Sequence, residues 1–143
     1  MSDWQPTIVA FVCNWCSYAG ADKAGGQRLE YAAGVKLVRV MCSGRVDPQL
    51  VLGALRRGAD GVMVLGCHPG DCHYRSGNLK AMRRFRLLER MVEQLGVDRR
   101  RLRLDWVAAG EAERFARLAN EMSAAVAALG PLSLPGRVGS EVA

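Results

Sequence analysis

The feature that most constrains this chain is a regular exchange of two hydrophobic periodicities. Short apolar runs rich in β-branched residues alternate with longer segments whose apolar residues recur at helical spacing. Thr7-Ile-Val-Ala-Phe-Val12 is the first run, bounded by turn residues, and reads as a buried strand. Val35-Lys-Leu-Val-Arg-Val40 alternates less cleanly and reads as a strand nearer the sheet edge. Gly61-Val-Met-Val-Leu65 reads as a strand buried on both faces, and Leu102-Arg-Leu-Asp-Trp-Val107 alternates as a fourth.

Helical segments fill the gaps. Gly20–Tyr31 is the weakest, because Gly25 and Gly26 together cost about 2 kcal/mol relative to alanines. The next has clear punctuation, with Asp47 suited to the N-cap, Pro48 to the first helical position and Gly58 just past the end. A third places Leu79, Met82, Phe85, Leu88, Val92 and Leu95 on one face and stops at Gly96. The last spans about 111–129, turns Phe115, Leu118, Met122, Val126 and Leu129 inward, and ends at Gly130-Pro131.

Strands alternating with helices predict an α/β fold: one flavodoxin-like domain, a four-stranded parallel sheet of order 2-1-3-4 with helices on both faces. At 143 residues the chain is long enough for one self-sufficient core. Residues 1–131 are assigned to that domain. Residues 132–143, with Pro135, Gly136, Gly139 and no periodicity, are read as a flexible tail. No apolar stretch approaches the roughly 20 residues of a membrane helix, and no secretory signal pattern is present, so the expectation is a cytoplasmic protein with no membrane span.

On this strand reading the five cysteines fall into place. Cys13 and Cys16 follow the first strand, Cys42 the second, and Cys67 and Cys72 the third. In a parallel sheet these strand ends share one edge, where open α/β folds bind their ligands. Any one cysteine could be a small core residue. The group is not explained that way, since Cys13-Asn-Trp-Cys16 is a CxxC and Cys67-His-Pro-Gly-Asp-Cys72 is a loop that Pro69 and Gly70 bend. Disulfides persist poorly in the cytosol, and an odd count leaves one thiol over. Structural zinc is a live alternative, since two cysteine pairs can supply four thiolates. An iron–sulfur cluster uses the same soft ligands, and a sheet edge would keep it rigid and within reach of a partner's cofactor, so it is the favoured reading. His68 and His73 directly follow cysteines and, with Arg45, are candidates for the shell around such a cluster, as are Trp15 and Tyr18. Asp71 suits the capping of its own turn.

Charge is concentrated as well. Residues 75–103 carry ten basic side chains against Glu89, Glu93 and Asp98, a local +7, while the rest of the chain is close to neutral. Such a field favours an acidic partner. Only one aromatic, Phe85, lies in the segment, on the apolar helix face, so no base-stacking platform accompanies the charge and nucleic acid is not the expected partner. A solvated helix face and a protein-docking face both remain open.

Three blocks carry a resemblance: Cys13-Asn-Trp-Cys-Ser-Tyr-Ala-Gly-Ala-Asp22, Val40-Met-Cys-Ser-Gly-Arg-Val-Asp-Pro48 and Leu65-Gly-Cys-His-Pro-Gly-Asp-Cys-His-Tyr74. In that order they resemble the delta-subunit family of methyl-viologen-reducing hydrogenase, over residues from about 7 to 130. The resemblance implies a small subunit with one 2Fe–2S cluster. It would relay electrons between a hydrogenase, formate dehydrogenase or other dehydrogenase-type module and the flavin subunit of a heterodisulfide-reductase-like, electron-bifurcating complex. Such a cluster takes four protein ligands, so four of Cys13, Cys16, Cys42, Cys67 and Cys72 would hold it, Cys16 being the one most open to question. Without the resemblance, the rival from another class is a thiol-disulfide oxidoreductase in which Cys13 attacks and Cys16 resolves. That reading leaves Cys42, Cys67 and Cys72 unexplained.

Overall fold

A computed structural model describes residues 4–13, 34–40, 46–66, 77–108 and 110–132. Four strands, β1 (Ile8–Cys13), β2 (Val35–Val40), β3 (Gly61–Gly66) and β4 (Leu102–Trp106), form one sheet in the order β2-β1-β3-β4. Every pairing is parallel, with Ile8 opposite Val35 and Gly61, and Val62 opposite Leu102. This is the 2-1-3-4 order expected from the sequence. The described helices are α1 (Pro48–Arg56), α2 (Gly77–Gln94) and α3 (Ala112–Leu129), with a short 3-10 turn at Arg99–Arg101. The helix expected at Gly20–Tyr31 lies outside the described residues.

Strand alternation sorts the core into two layers. Ile8, Ala10, Val12, Met63 and Leu65 face α3, where Phe115, Leu118, Met122 and Val126 cover them. Phe11, Val62, Val64 and Leu102 face the other way, under Val51 and Leu55 of α1 and Phe85, Leu88 and Val92 of α2. Helices therefore cover both faces of a single α/β flavodoxin-like domain. All six residues of β3 are buried, whereas β2 at the edge exposes Lys36, Val38 and Arg39.

Local signals explain the helix limits. Asp47 caps α1, its Oδ1 accepting from the Leu50 N–H at 3.1 Å, with Pro48 in the first turn. Gly58 follows the helix at φ +126°, a left-handed conformation that favours glycine. The end of α2 corrects the sequence reading. Leu95 is not on the core face but 57% exposed, because the helix ends at Gln94 and the chain turns at Gly96. Val97 takes the core position instead, its N–H donating to the Val92 carbonyl at 2.9 Å.

The edge at which the strands begin is closed by a cluster of hydrogen bonds around two buried charged residues. Asp60 and Arg101 are each 5% exposed. The Asp60 carboxylate accepts from the Thr7 N–H at 3.0 Å and the Leu132 N–H at 3.2 Å. The Arg101 guanidinium donates to the carbonyls of Asp60 at 3.0 Å and Gly130 at 2.8 Å. A buried charge costs less when it is hydrogen-bonded, and these bonds to backbone groups tie four distant segments together. Leu132, placed by the sequence reading at the start of the tail, is buried here; residues 133–143 lie outside the described residues.

Candidate metal centre at the strand ends

The opposite edge of the sheet is where the cysteines begin. β1 is apolar throughout and ends on Cys13, which is 1% exposed. Cys13 pairs with Val40, the last residue of β2. It stands one residue beyond the Val12–Leu65 pair, level with Gly66 at the end of β3. Parallel strands are about 4.8 Å apart, so three strand ends lie side by side in one row. Gly66 adds no side chain to the rim beside Cys13.

Cys67 follows Gly66 directly, and Cys42 comes two residues after Val40. The positions of Cys16, Cys42, Arg45, Cys67, His68, Cys72 and His73 lie outside the described residues, as do Trp15, Tyr18 and Asp71. Among the described residues no group of three or more His, Cys, Asp or Glu side chains is arranged to hold a metal ion. What the described part supplies is a buried thiol at the rim and adjacent starting points for the two other cysteine-bearing loops. That fits a centre held by thiolates from several strands.

A polar brace, not foreseen from the sequence, holds the same edge at its β4 side. Asp105 Oδ1 accepts from Arg114 at 2.6 Å and from the Trp106 N–H at 2.9 Å. The Arg114 Nε donates to the Trp106 carbonyl at 2.7 Å. Arg103 bridges Asp105 at 3.3 Å and Glu121 at 3.1 Å. A basic residue in the first turn of a helix is unfavourable against the helix dipole, so Arg114 is accounted for by these partners. The Val107 N–H donates to the Gly66 carbonyl at 2.9 Å, which fixes the residue immediately before Cys67. Glu111 accepts from the Ala108 N–H at 2.8 Å and closes the turn into α3. The signal available in the sequence is Arg103 and Asp105 at strand period, with Arg114 early in the next helix.

The basic segment divides into two parts. Arg99 binds Glu89 and Glu93, Arg101 belongs to the buried cluster, and Arg103 joins the brace. Arg100 pairs with Asp98 at 2.7 Å, and its hydrogen bonds hold the Asp98 carboxyl down at about 2, against an ordinary 3.8. The remaining described cations of the segment, Lys80, Arg83, Arg84, Arg86 and Arg90, are all exposed on α2. None of the described helices is long and apolar enough to cross a membrane.

Comparison with known proteins adds an independent line. The family model for the methyl-viologen-reducing hydrogenase delta subunit matches residues 8–130. The iron-sulfur subunit of the F420-non-reducing hydrogenase of Archaeoglobus profundus is 50% identical over 129 residues, which cover 90% of this chain and 94% of the relative. The corresponding iron-sulfur subunit of the vhc F420-non-reducing hydrogenase of Methanococcus voltae is 45% identical over 137 residues, covering 96% and 95%. A third relative is far longer. It belongs to the ferredoxin/F420H2-dependent CoB-CoM heterodisulfide reductase of Methanosarcina acetivorans and is 46% identical over 127 residues, which make up 89% of this chain but only 16% of that protein.

Proposed function

Because this chain belongs to the methyl-viologen-reducing hydrogenase delta-subunit family, we propose that it is a non-catalytic electron-transfer subunit with one 2Fe–2S cluster on the rim of its sheet. The observation that carries the reading is Cys13, buried at the end of β1 and level with the ends of β2 and β3. In the sequence Cys67 is one residue past Gly66 and Cys42 two past Val40, and a trans peptide step is about 3.8 Å. Four of Cys13, Cys16, Cys42, Cys67 and Cys72 supply the ligands, as thiolates. Such a cluster takes up and gives back one electron at a time.

The protein's own part is to keep those ligands in place and to set their surroundings. The brace from Asp105 and Arg114 steadies the strand end before Cys67, and Arg45, His68 and His73 lie close in sequence to ligating cysteines. Hydrogen bonds and positive charge near the cluster favour its reduced form and raise its potential. No substrate pocket or acid–base pair is required.

The reading extends to partners. Relatives of nearly the same length are named as hydrogenase iron–sulfur subunits, and the longer one is named as part of a heterodisulfide reductase and contains a matching stretch. These names support redox-subunit partners, and the proposed place of the chain is between a hydrogenase or other dehydrogenase-type module and a heterodisulfide-reductase-like flavin subunit of an electron-bifurcating complex, in the cytoplasm. The test is purification without oxygen. The expected product is reddish brown with about two iron and two acid-labile sulfide per chain. A colourless zinc-loaded protein would turn the reading into a structural interaction module. A colourless, metal-free protein whose Cys13 and Cys16 exchange with disulfides would turn it into a thiol oxidoreductase.

A further inference from the structure

We infer that the outward face of α2 docks an acidic protein surface with a small apolar depression, on the redox subunit next to this one; the inference rests on the electron-transfer reading above. Lys80, Arg83, Arg84, Arg86 and Arg90 are exposed along this helix. Among the described residues, Lys80, Arg83, Arg86 and Arg90 make no ion pair or hydrogen bond with an acidic side chain. Leu87 stands among them and is 57% exposed. It follows Arg83 and Arg84 by four and three residues and precedes Arg90 by three, the spacing that makes helix side chains neighbours. The acidic residues of α2, Glu89 and Glu93, are turned to Arg99 instead, so their charge does not cancel this stripe.

A large apolar side chain ringed by arginines has the composition of a protein interface, with an anchor at its centre and charged residues that steer the encounter. A nucleic acid backbone would use the arginines but has no use for the leucine, and no exposed aromatic ring accompanies them on α2. The helix also lies in a suitable place. As the crossover between parallel strands β3 and β4, α2 starts near the rim and runs back along the sheet. At about 1.5 Å per residue, Lys80 and Arg83 are within roughly 10 Å of its first residue, Gly77, along the axis. A partner seated there approaches the cysteine-bearing edge.

The test uses the full chain, purified without oxygen, and the heterodisulfide-reductase-like flavin protein of the same organism as the probe. Binding is measured at low and at physiological salt for the parent, the triple variant Arg83→Glu/Arg86→Glu/Arg90→Glu, Leu87→Asp, and Lys36→Glu on β2 as a control remote from α2. Leu87→Ser replaces Leu87→Asp if the latter loses its helical signal. The triple variant and the Leu87 variant should each weaken binding about 10-fold or more, with the larger loss at low salt for the triple variant. Lys36→Glu should leave it unchanged. Carbodiimide should join Lys80 to an Asp or Glu of the partner. Undiminished binding by both α2 variants overturns the docking face, as does a triple variant that loses only affinity for a 20-base-pair DNA duplex. Iron and sulfide are counted on the same samples. A loaded cluster with unchanged binding rejects the face alone, while an absent cluster rejects the electron-transfer reading itself.

Discussion

The two edges of the sheet are held by different means. Where the strands start, one carboxylate and one guanidinium, both 5% exposed, tie together segments up to 72 residues apart in sequence. Where the strands finish, the central ion pair is half-buried: the Asp105 and Arg114 side chains are 19% and 28% exposed, and the two lie nine residues apart. The first edge is built for cohesion, and the second is held just firmly enough to present its loops. Six-residue strands rising about 3.3 Å per residue separate the two by more than the distance over which mutations usually couple. The division can therefore be tested one edge at a time.

The largest effect is expected from Asp60→Ala. It removes the carboxylate that accepts from the Thr7 and Leu132 N–H groups, leaving two donors away from water without an acceptor, at about 1–3 kcal/mol each in chemical denaturation. Iron bound per folded chain should stay at the parent level; a proportionate loss of iron from still-folded protein would break the division. Gly61→Ala comes next. A Cβ there would stand 2.8 Å from Val126 Cγ2 and 3.0 Å from Ile8 Cδ1 and Met122 Cε, so these packed side chains must give way, for about 1–3 kcal/mol.

At the other edge, Arg114→Ala should cost about 1 kcal/mol, because its pair is partly solvated. Its sharper signature is local, with faster hydrogen exchange at the Val107 amide that donates to Gly66, and no change at Leu132. Combined with Gly61→Ala, its cost should add to within about 0.5 kcal/mol. The smallest effect is the acid response of Asp98. Its folded pKa is depressed to about 2 by hydrogen bonds from Arg100, so the stabilisation is present above the ordinary 3.8 and lost as pH falls towards 2. The Arg100 side chain is 70% exposed, which limits the effect to under about 1 kcal/mol, and Asp98→Asn should flatten that part of the stability curve.

Much of the scaffold is readable because it is written locally. The apolar runs mark all four strands, Asp47-Pro48 and Gly58 bracket α1, and the poorer alternation of β2 identifies it as an edge. Cys13 reads as the first residue after a strand and is its last, a shift of one position that puts the thiol in the sheet itself. Leu95 misleads because apolar periodicity continues past the point where Gly96 turns the chain. Arg101 looks like one more member of a basic run. Its burial depends on Asp60, 41 residues away, and on a carbonyl 29 residues away, which no local pattern encodes. The +7 total is legible too, but its division between paired arginines and an open face on α2 follows from tertiary neighbours.

The Asp60 carboxylate has a topological consequence. It grips the backbone on the way into the first strand and again just after the last helix, so both passages of the described unit lie together on the side away from the thiol of Cys13. A unit with that layout can be spliced into a longer polypeptide through two neighbouring seams, and the fusion leaves the edge that carries Cys13 open.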